Sequence, residues 1–172
     1  MKHINIEIKA RCADQTRIKE ILKSENADFR GVDHQIDTYF RVNSGRLKLR
    51  EGNIENNLIH YLREDREGPK EANITLFRTE RSSGIKEILS KALGIFVVVD
   101  KQREIYFIGN VKFHLDTVKS LGTFVEIEAI GEDETADKDQ LLQQCLHYLS
   151  LFGIAKEELI AFSYSDLMLA ER

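Results

Sequence analysis

Asn5-Ile6-Glu7-Ile8-Lys9, Arg46-Leu47-Lys48-Leu49-Arg50 and Phe124-Val125-Glu126-Ile127-Glu128-Ala129-Ile130 set polar or charged side chains on alternate residues of otherwise apolar runs. In a β-strand successive side chains point to opposite faces, so each run has an apolar face and an ionic one. The apolar face packs under helices. The ionic face then meets bulk solvent or lines a polar cavity, and those alternatives separate a plain scaffold from a binding site.

Outward from these runs, a first strand at residues 3–11 leads into a helix capped by Asp14, with Ile18, Ile21 and Leu22 at helical spacing. Strands follow at Gln35–Val42 and Arg46–Glu51, joined by the turn Asn43-Ser44-Gly45. An irregular link, Gly52–Asn57, precedes a strand at Leu58–Glu64. The exposed loop Asp65–Lys70 carries the only proline, and a strand at Ala72–Thr79 closes that hairpin. A second helix starts at Ser83, presents Ile85, Ile88, Leu89 and Ala92 on one face, and stops at Gly94. Ile95–Gly109 reads as two strands joined near Asp100–Arg103, followed by Val111–Asp116 and Thr123–Ile130. A third helix runs from its cap Asp137 to about Phe152, where Gly153 ends it, and the tail Lys156–Arg172 holds a short helical turn. Hairpin connections dominate, so the class is α+β with a largely antiparallel sheet of eight or nine strands, which tends to close on itself.

The 172 residues fit one domain spanning 1–172, and 42% hydrophobic with 31% charged residues is an ordinary globular balance. The chain offers no apolar run of membrane-spanning length, and the charges at Glu7 and Lys9 interrupt any leader-like N-terminus, which predicts a cytoplasmic protein with no membrane partner. A net charge of −4 without a basic block argues against a nucleic-acid polymer as partner. Cys12 and Cys145 lie far from any CxxC spacing and read as free thiols; the five histidines show no HxH or HExxH pattern, so no zinc site is expected.

Following the period-two phase strand by strand aligns Asn5, Glu7 and Lys9; Arg46, Lys48 and Arg50; Tyr61 and Arg63; Lys112, His114 and Asp116; and Glu126 with Glu128. Arg78 stands near the end of its strand, and Lys101 and Arg103 flank the expected sixth turn. Counting Lys9, Lys48, Arg50, Arg63, Arg78, Lys101 and Arg103 against Glu7, Asp116, Glu126 and Glu128 gives a net-positive lining. Bases at i and i+2 repel unless something sits between them. Such a lining cannot stay buried without water, ions or a polyanion. Lys and Arg suit phosphate oxygens, and the carboxylates suit a hard divalent cation such as magnesium, so a metal-bound triphosphate would neutralise both sets. Tyr39 and Tyr61 read as packing residues.

Taken together, Asn5-x-Glu7-x-Lys9, Gln35-Ile36-Asp37-Thr38-Tyr39-Phe40, Gly45 to Glu51, Tyr61-x-Arg63, Phe77-Arg78-Thr79, Lys101-Gln102-Arg103 and Leu115-Asp116 with Leu121 to Glu128 resemble the CYTH domain, or triphosphate tunnel metalloenzymes. That family includes class IV adenylate cyclases, thiamine triphosphatases and inorganic tripolyphosphatases, and the Leu121–Glu128 segment is most similar to the cyclase branch. The resemblance implies a closed or nearly closed eight-stranded antiparallel β tunnel, open at both ends, with helices packed outside. It implies triphosphate binding by Lys9, Lys48, Arg50, Arg63, Arg78, Lys101 and Arg103. It also implies Mg2+ or Mn2+ held by Glu7, Glu126 and Glu128 with Asp116 nearby, and catalysis resting on Lys9, Glu7, Glu126 and Glu128. Asn5 departs from the E-x-E-x-K signature, where an amide oxygen supplies less charge to a cation than a carboxylate would.

The resemblance thus predicts a metal-dependent enzyme that converts ATP to cyclic AMP and pyrophosphate or hydrolyses a triphosphate such as ATP, tripolyphosphate or thiamine triphosphate. The alternative is a non-catalytic triphosphate or polyphosphate-binding protein. An exposed strand edge or the apolar tail Leu167-Met168-Leu169 offers a homodimer contact.

Overall fold

The computed structural model describes residues 1–171, so the last residue of the expected tail and domain, Arg172, lies outside the description. Alternating polarity makes the strands β1 (Lys2–Arg11), β2 (Asp28–Phe40), β3 (Arg46–Glu51), β4 (Asn56–Arg63), β5 (Lys70–Arg78), β6 (Ile95–Ile108), β7 (Val111–Val118) and β8 (Gly122–Ile130). They close into an antiparallel barrel in the order β1-β5-β4-β3-β2-β6-β7-β8, with β8 returning to β1. The helices are α1 (Gln15–Ser24), α2 (Ile85–Leu93), α3 (Lys138–Phe152) and α4 (Tyr164–Ala170).

Closure sends one face of every strand outward and the other into the barrel. On the outside, Ile6, Ile8 and Ala10 of β1, Phe113 and Leu115 of β7, and Val125 and Ile127 of β8 are buried beneath Ile18 and Leu22 of α1 and Leu141, Cys145 and Phe152 of α3. Each buried Val, Leu, Ile or Phe of this layer contributes about 1.5–3 kcal/mol, so it anchors the wall that carries Glu7, Lys9, Glu126 and Glu128. The caps behave as the sequence predicts. Asp14 accepts from the Arg17 amide at 3.2 Å, Asp137 accepts from the Asp139 and Gln140 amides, and Gly153 takes the left-handed conformation that ends α3. Cys12 and Cys145 are both buried and free.

Several expectations change. β2 begins at Asp28, not Gln35, because a bulge at Gly31, with φ of 121°, lets the strand bend and still pair with β6. β6 is one strand from Ile95 to Ile108, with no turn near Asp100 to Arg103. Its middle is a strand with two polar faces: Lys101 and Arg103 are buried inward while Gln102 stays outside. The apolar stripe of α2 is not buried. The helix leans on β2, the Lys86–Glu51 ion pair tethers it at 2.8 Å, and Ile88 remains 65% exposed.

The tail departs furthest from a tunnel open at both ends. Ile160 and Tyr164 pack on the buried residues Tyr39, Val97, Val99, Val118 and Phe124, with Leu167 and Met168 against the same cluster. Tyr39, Val97, Val99, Val118 and Phe124 stand in the inward phase of their strands, so α4 and the segment before it fill one end of the barrel. Lys70 pins that segment, its ammonium donating to the carbonyls of Ile160 at 3.1 Å and Ala161 at 2.8 Å. Among the described residues no helix is long and apolar enough to cross a membrane.

Candidate active site

The inward side chains leave a cavity of about 370 Å3, and Lys9, Lys48, Arg50, Arg63, Lys101, Arg103, Glu7, Glu126 and Glu128 all line it. The barrel closure is what gathers them. On one set of rungs Lys112, Glu128, Glu7 and Lys70 stand in register across β7, β8, β1 and β5. One inward step away, His114, Glu126 and Lys9 repeat the pattern.

Two buried aspartates orient the bases. Asp37, missed as a site residue, accepts from Arg50 Nε and Nη2 at 2.9 Å each and from Lys101 Nζ at 2.7 Å, with Lys48 Nζ at 3.5 Å. Burial pushes its carboxyl up, but Arg50, Lys101 and Lys48 together hold it well below the usual range. Burial likewise drives Lys101 down against the pull of Asp37. Asp116 accepts from Arg103 Nε at 2.7 Å, from Arg103 Nη2 at 2.6 Å and from the Tyr164 hydroxyl at 2.6 Å. It sits behind the lining, its oxygens already engaged. Arg103 also reaches Glu126 at 3.3 Å, and Arg63 pairs with Glu7 at 2.5 Å.

The link between β3 and β4 contributes a residue that strand reading could not reach. Glu55 accepts from Arg50 Nη1 at 3.1 Å, from Gln35 Nε2 at 3.2 Å and from Lys112. Its loop is held by the fully buried Asp33, whose carboxylate accepts the amides of Asn53 at 2.6 Å, Ile54 at 2.9 Å and Glu55 at 2.9 Å. Tyr39 and Tyr61 are buried as packing residues and also border the cavity, and Lys48 donates to the Tyr39 hydroxyl at 3.4 Å. Tyr164, from the plug, lays its ring 3.8 Å from Lys9 Nζ. Arg78 is exposed and outside the cavity; only its in-phase neighbours Ala72, Ile74 and Leu76 face inward there.

These placements change the charge of the lining. Seven bases (Lys9, Lys48, Arg50, Arg63, Lys101, Arg103, Lys112) line the cavity with five acids, Glu7, Glu55, Glu126, Glu128 and Glu132, while Asp37 and Asp116 stand behind it and Lys70 shares the Glu7 rung. The net-positive count from sequence shrinks, because Asp37 and Glu55 lie among the bases and Arg78 lies outside.

Among the described residues no three His, Cys, Asp or Glu side chains already converge as a cation cage. The donor chemistry nonetheless fits a hard divalent ion on the β1–β8 wall. Glu7 and Glu128 are directly paired there, and the buried Asn5 Oδ1 has no hydrogen-bond partner while its Nδ2 donates to Glu128. Burial, with Glu126 and Glu7 alongside, raises the Glu128 carboxyl to about 7, against the opposing pull of Lys112. A cation at these oxygens would relieve that repulsion.

A family model described as the CYTH domain matches residues 3–164. A Methanocaldococcus jannaschii protein named "Putative adenylate cyclase MJ0240" is 29% identical over 180 residues, covering 95% of this chain and 98% of its own. The PH1012 protein of Pyrococcus horikoshii superposes with a TM-score of 0.79 at 25% identity, covering 95% of this chain and 98% of that one. The Hippeastrum protein HpAC1, described as a "putative adenylyl cyclase" with a dominant triphosphatase activity, shares the fold at a TM-score of 0.66 and 13% identity, with 99% and 96% of the chains covered.

Proposed function

The chain belongs to the CYTH domain family, and from that premise we propose that it is a single-domain enzyme that cleaves a phosphoanhydride bond of a triphosphate in complex with Mg2+ or Mn2+. The observation that carries this reading is the convergence of six buried or half-buried bases, Lys9, Lys48, Arg50, Arg63, Lys101 and Arg103, in one enclosed cavity. Guanidinium groups fixed by Asp37 and Asp116 need no reorganisation when charge develops on phosphoryl oxygens. Carboxylates interleaved with the bases support a metal-accompanied substrate over a bare polyanion.

In this reading Arg50, Lys101 and Lys48 bind one part of the phosphate chain, and Arg103 and Arg63 bind another. Glu7, Glu126 and Glu128 are the residues that would hold the cation, with Asn5 Oδ1 beside them, and a bound divalent ion supplies Lewis-acid polarisation of a phosphoryl oxygen. Asp116, bound to Arg103 and Tyr164, acts by orienting Arg103. Lys9 takes the proton of the attacking hydroxyl. Its support is burial, which pushes the ammonium down more than Glu126 pulls it up.

The attacking hydroxyl is water in a hydrolase and the ribose 3'-hydroxyl of ATP in a cyclase, the latter in keeping with the name of the Methanocaldococcus relative. Incubating the protein with ATP, tripolyphosphate or thiamine triphosphate and Mg2+ or Mn2+, then identifying the products, tests the proposal. Turnover is expected with at least one substrate and is lost in Glu126→Gln. Absence of turnover for all three overturns it.

A further inference from the structure

Lys112 lines the cavity, and its partner there is Glu55 of the same chain. Glu55 accepts from Lys112 through Oε1, and through Oε2 from Arg50 Nη1 at 3.1 Å and Gln35 Nε2 at 3.2 Å. These groups lie at one rim. Arg50 is one residue from the end of β3, Glu55 one residue before β4 and Lys112 one residue into β7, all at the mouth that Met1, His3 and Glu132 also border. Strands β2 and β6 separate β3 from β7, so the Glu55 carboxylate reaches across their inner faces and bridges two sides of the rim.

The bridge is fixed from beneath. Asp33 accepts the Glu55 amide at 2.9 Å, and the loop wraps that carboxylate so closely that a Cβ on Gly52 would stand 2.6 Å from Asp33 Oδ1. Burial pushes the Glu55 carboxyl up, but Lys112 and Arg50 hold it below the usual carboxylate range, so it keeps its charge. Its side chain is still 19% exposed, within reach of an incoming anion. Both of its oxygens are engaged by donors, which leaves it a poor cation ligand. Of the five N–H donors of Arg50, Asp37 and Glu55 take three. The other two, with Lys48 two residues further in along β3, stay open to phosphate.

Resting on the triphosphate reading, we infer that Glu55 is a specificity-determining residue that sets the length of phosphate chain the cavity takes: a fourth phosphoryl group meets a fixed carboxylate where Arg50 and Lys112 would otherwise receive it. Phosphoryl groups inward of Glu55 find bases. One placed beside it finds like charge and a lysine that is already paired.

Calorimetry with Mg2+ present, using methylene-bridged analogues of tripolyphosphate and tetrapolyphosphate that resist hydrolysis, tests this. The wild-type protein is expected to bind the two analogues within about threefold of each other. Glu55→Gln keeps the side-chain size and the backbone amide that Asp33 holds, and it releases Lys112. It is expected to bind the longer analogue at least about tenfold more tightly than the shorter. Glu134→Gln, which makes the same change of charge at an exposed position after β8, is expected to leave the ratio at the wild-type value. A wild-type preference of about tenfold or more for the longer analogue overturns the inference, leaves the triphosphate reading intact and needs no variant. An unchanged ratio in Glu55→Gln, or an equal rise in Glu134→Gln, also overturns it. Failure of both analogues to bind the wild-type protein overturns the triphosphate reading and this inference together.

Discussion

Glu128 and His114 face the same cavity and titrate in opposite senses, which gives a measurable signature. Burial, reinforced by Glu126 and Glu7, raises Glu128 from 4.5 to about 7. A carboxyl raised on folding binds its proton more tightly in the folded state, so its contribution to stability falls as pH climbs from about 4.5 to about 7. Burial, reinforced by Arg103, lowers His114 from 6.5 to about 4. Folding therefore expels a proton from His114, and its contribution rises with pH across nearly the same window. Each window spans roughly 2.5 pH units at about 1.4 kcal/mol per unit, so each group contributes on the order of 3 kcal/mol with opposite sign. Urea unfolding at pH 4.5, 5.5, 6.5 and 7.5 separates them. Relative to wild type, Glu128→Gln should gain about 3 kcal/mol on going from pH 4.5 to 7, because it lacks the group that loses stability there. His114→Gln should lose a similar amount relative to wild type between pH 4.5 and 6.5. Variant and wild-type profiles that stay parallel across this range would refute the assigned shifts and the electrostatic picture of the cavity built on them.

Other substitutions probe single contacts. Asp33→Asn leaves one side-chain oxygen for amides that the carboxylate shared across two, and should cost about 1–3 kcal/mol by urea unfolding. Arg50→Ala strands buried Asp37 without its bidentate partner and should weaken Mg2+–triphosphate binding at least about tenfold by calorimetry, whereas the exposed Arg78→Ala should leave binding within about twofold. Tyr164→Phe removes the hydroxyl that donates to buried Asp116 at 2.6 Å and should destabilise the protein by about 1–3 kcal/mol, read as a shifted urea midpoint.

Strands with one apolar and one ionic face were legible from alternation alone: β3 falls on Arg46–Glu51 as expected, and β1 and β8 lie within a residue of their expected bounds. Where both faces are polar, alternation carries no signal, so the middle of β6 resembled a turn although Lys101 and Arg103 are buried there. The early part of β2 was obscured for a related reason, since the bulge at Gly31 breaks its period. Asp33-x-Gln35-x-Asp37-x-Tyr39 nevertheless holds a period-two inward phase in the sequence, and tracing it would have found Asp37. Glu55 had no comparable signal. It lies in a loop whose shape depends on Asp33 of the neighbouring strand β2, just beyond the Ile36–Glu51 rung of the β2–β3 hairpin, and alternation along either strand says nothing of a loop residue. Arg78 shows the converse limit, because phase says which face a residue takes and not whether the barrel extends far enough to enclose it.

The plug formed by Ile160, Tyr164, Leu167 and Met168 governs traffic. With that end filled, a molecule that enters by the mouth near Met1 must leave by the same mouth, so departure of one product and arrival of the next substrate compete for one passage. Under the triphosphate reading a long polyanion would present only its terminus and would not be drawn through, which would set a polarity on the cavity: chain ends would be read, and interiors of polymers would not.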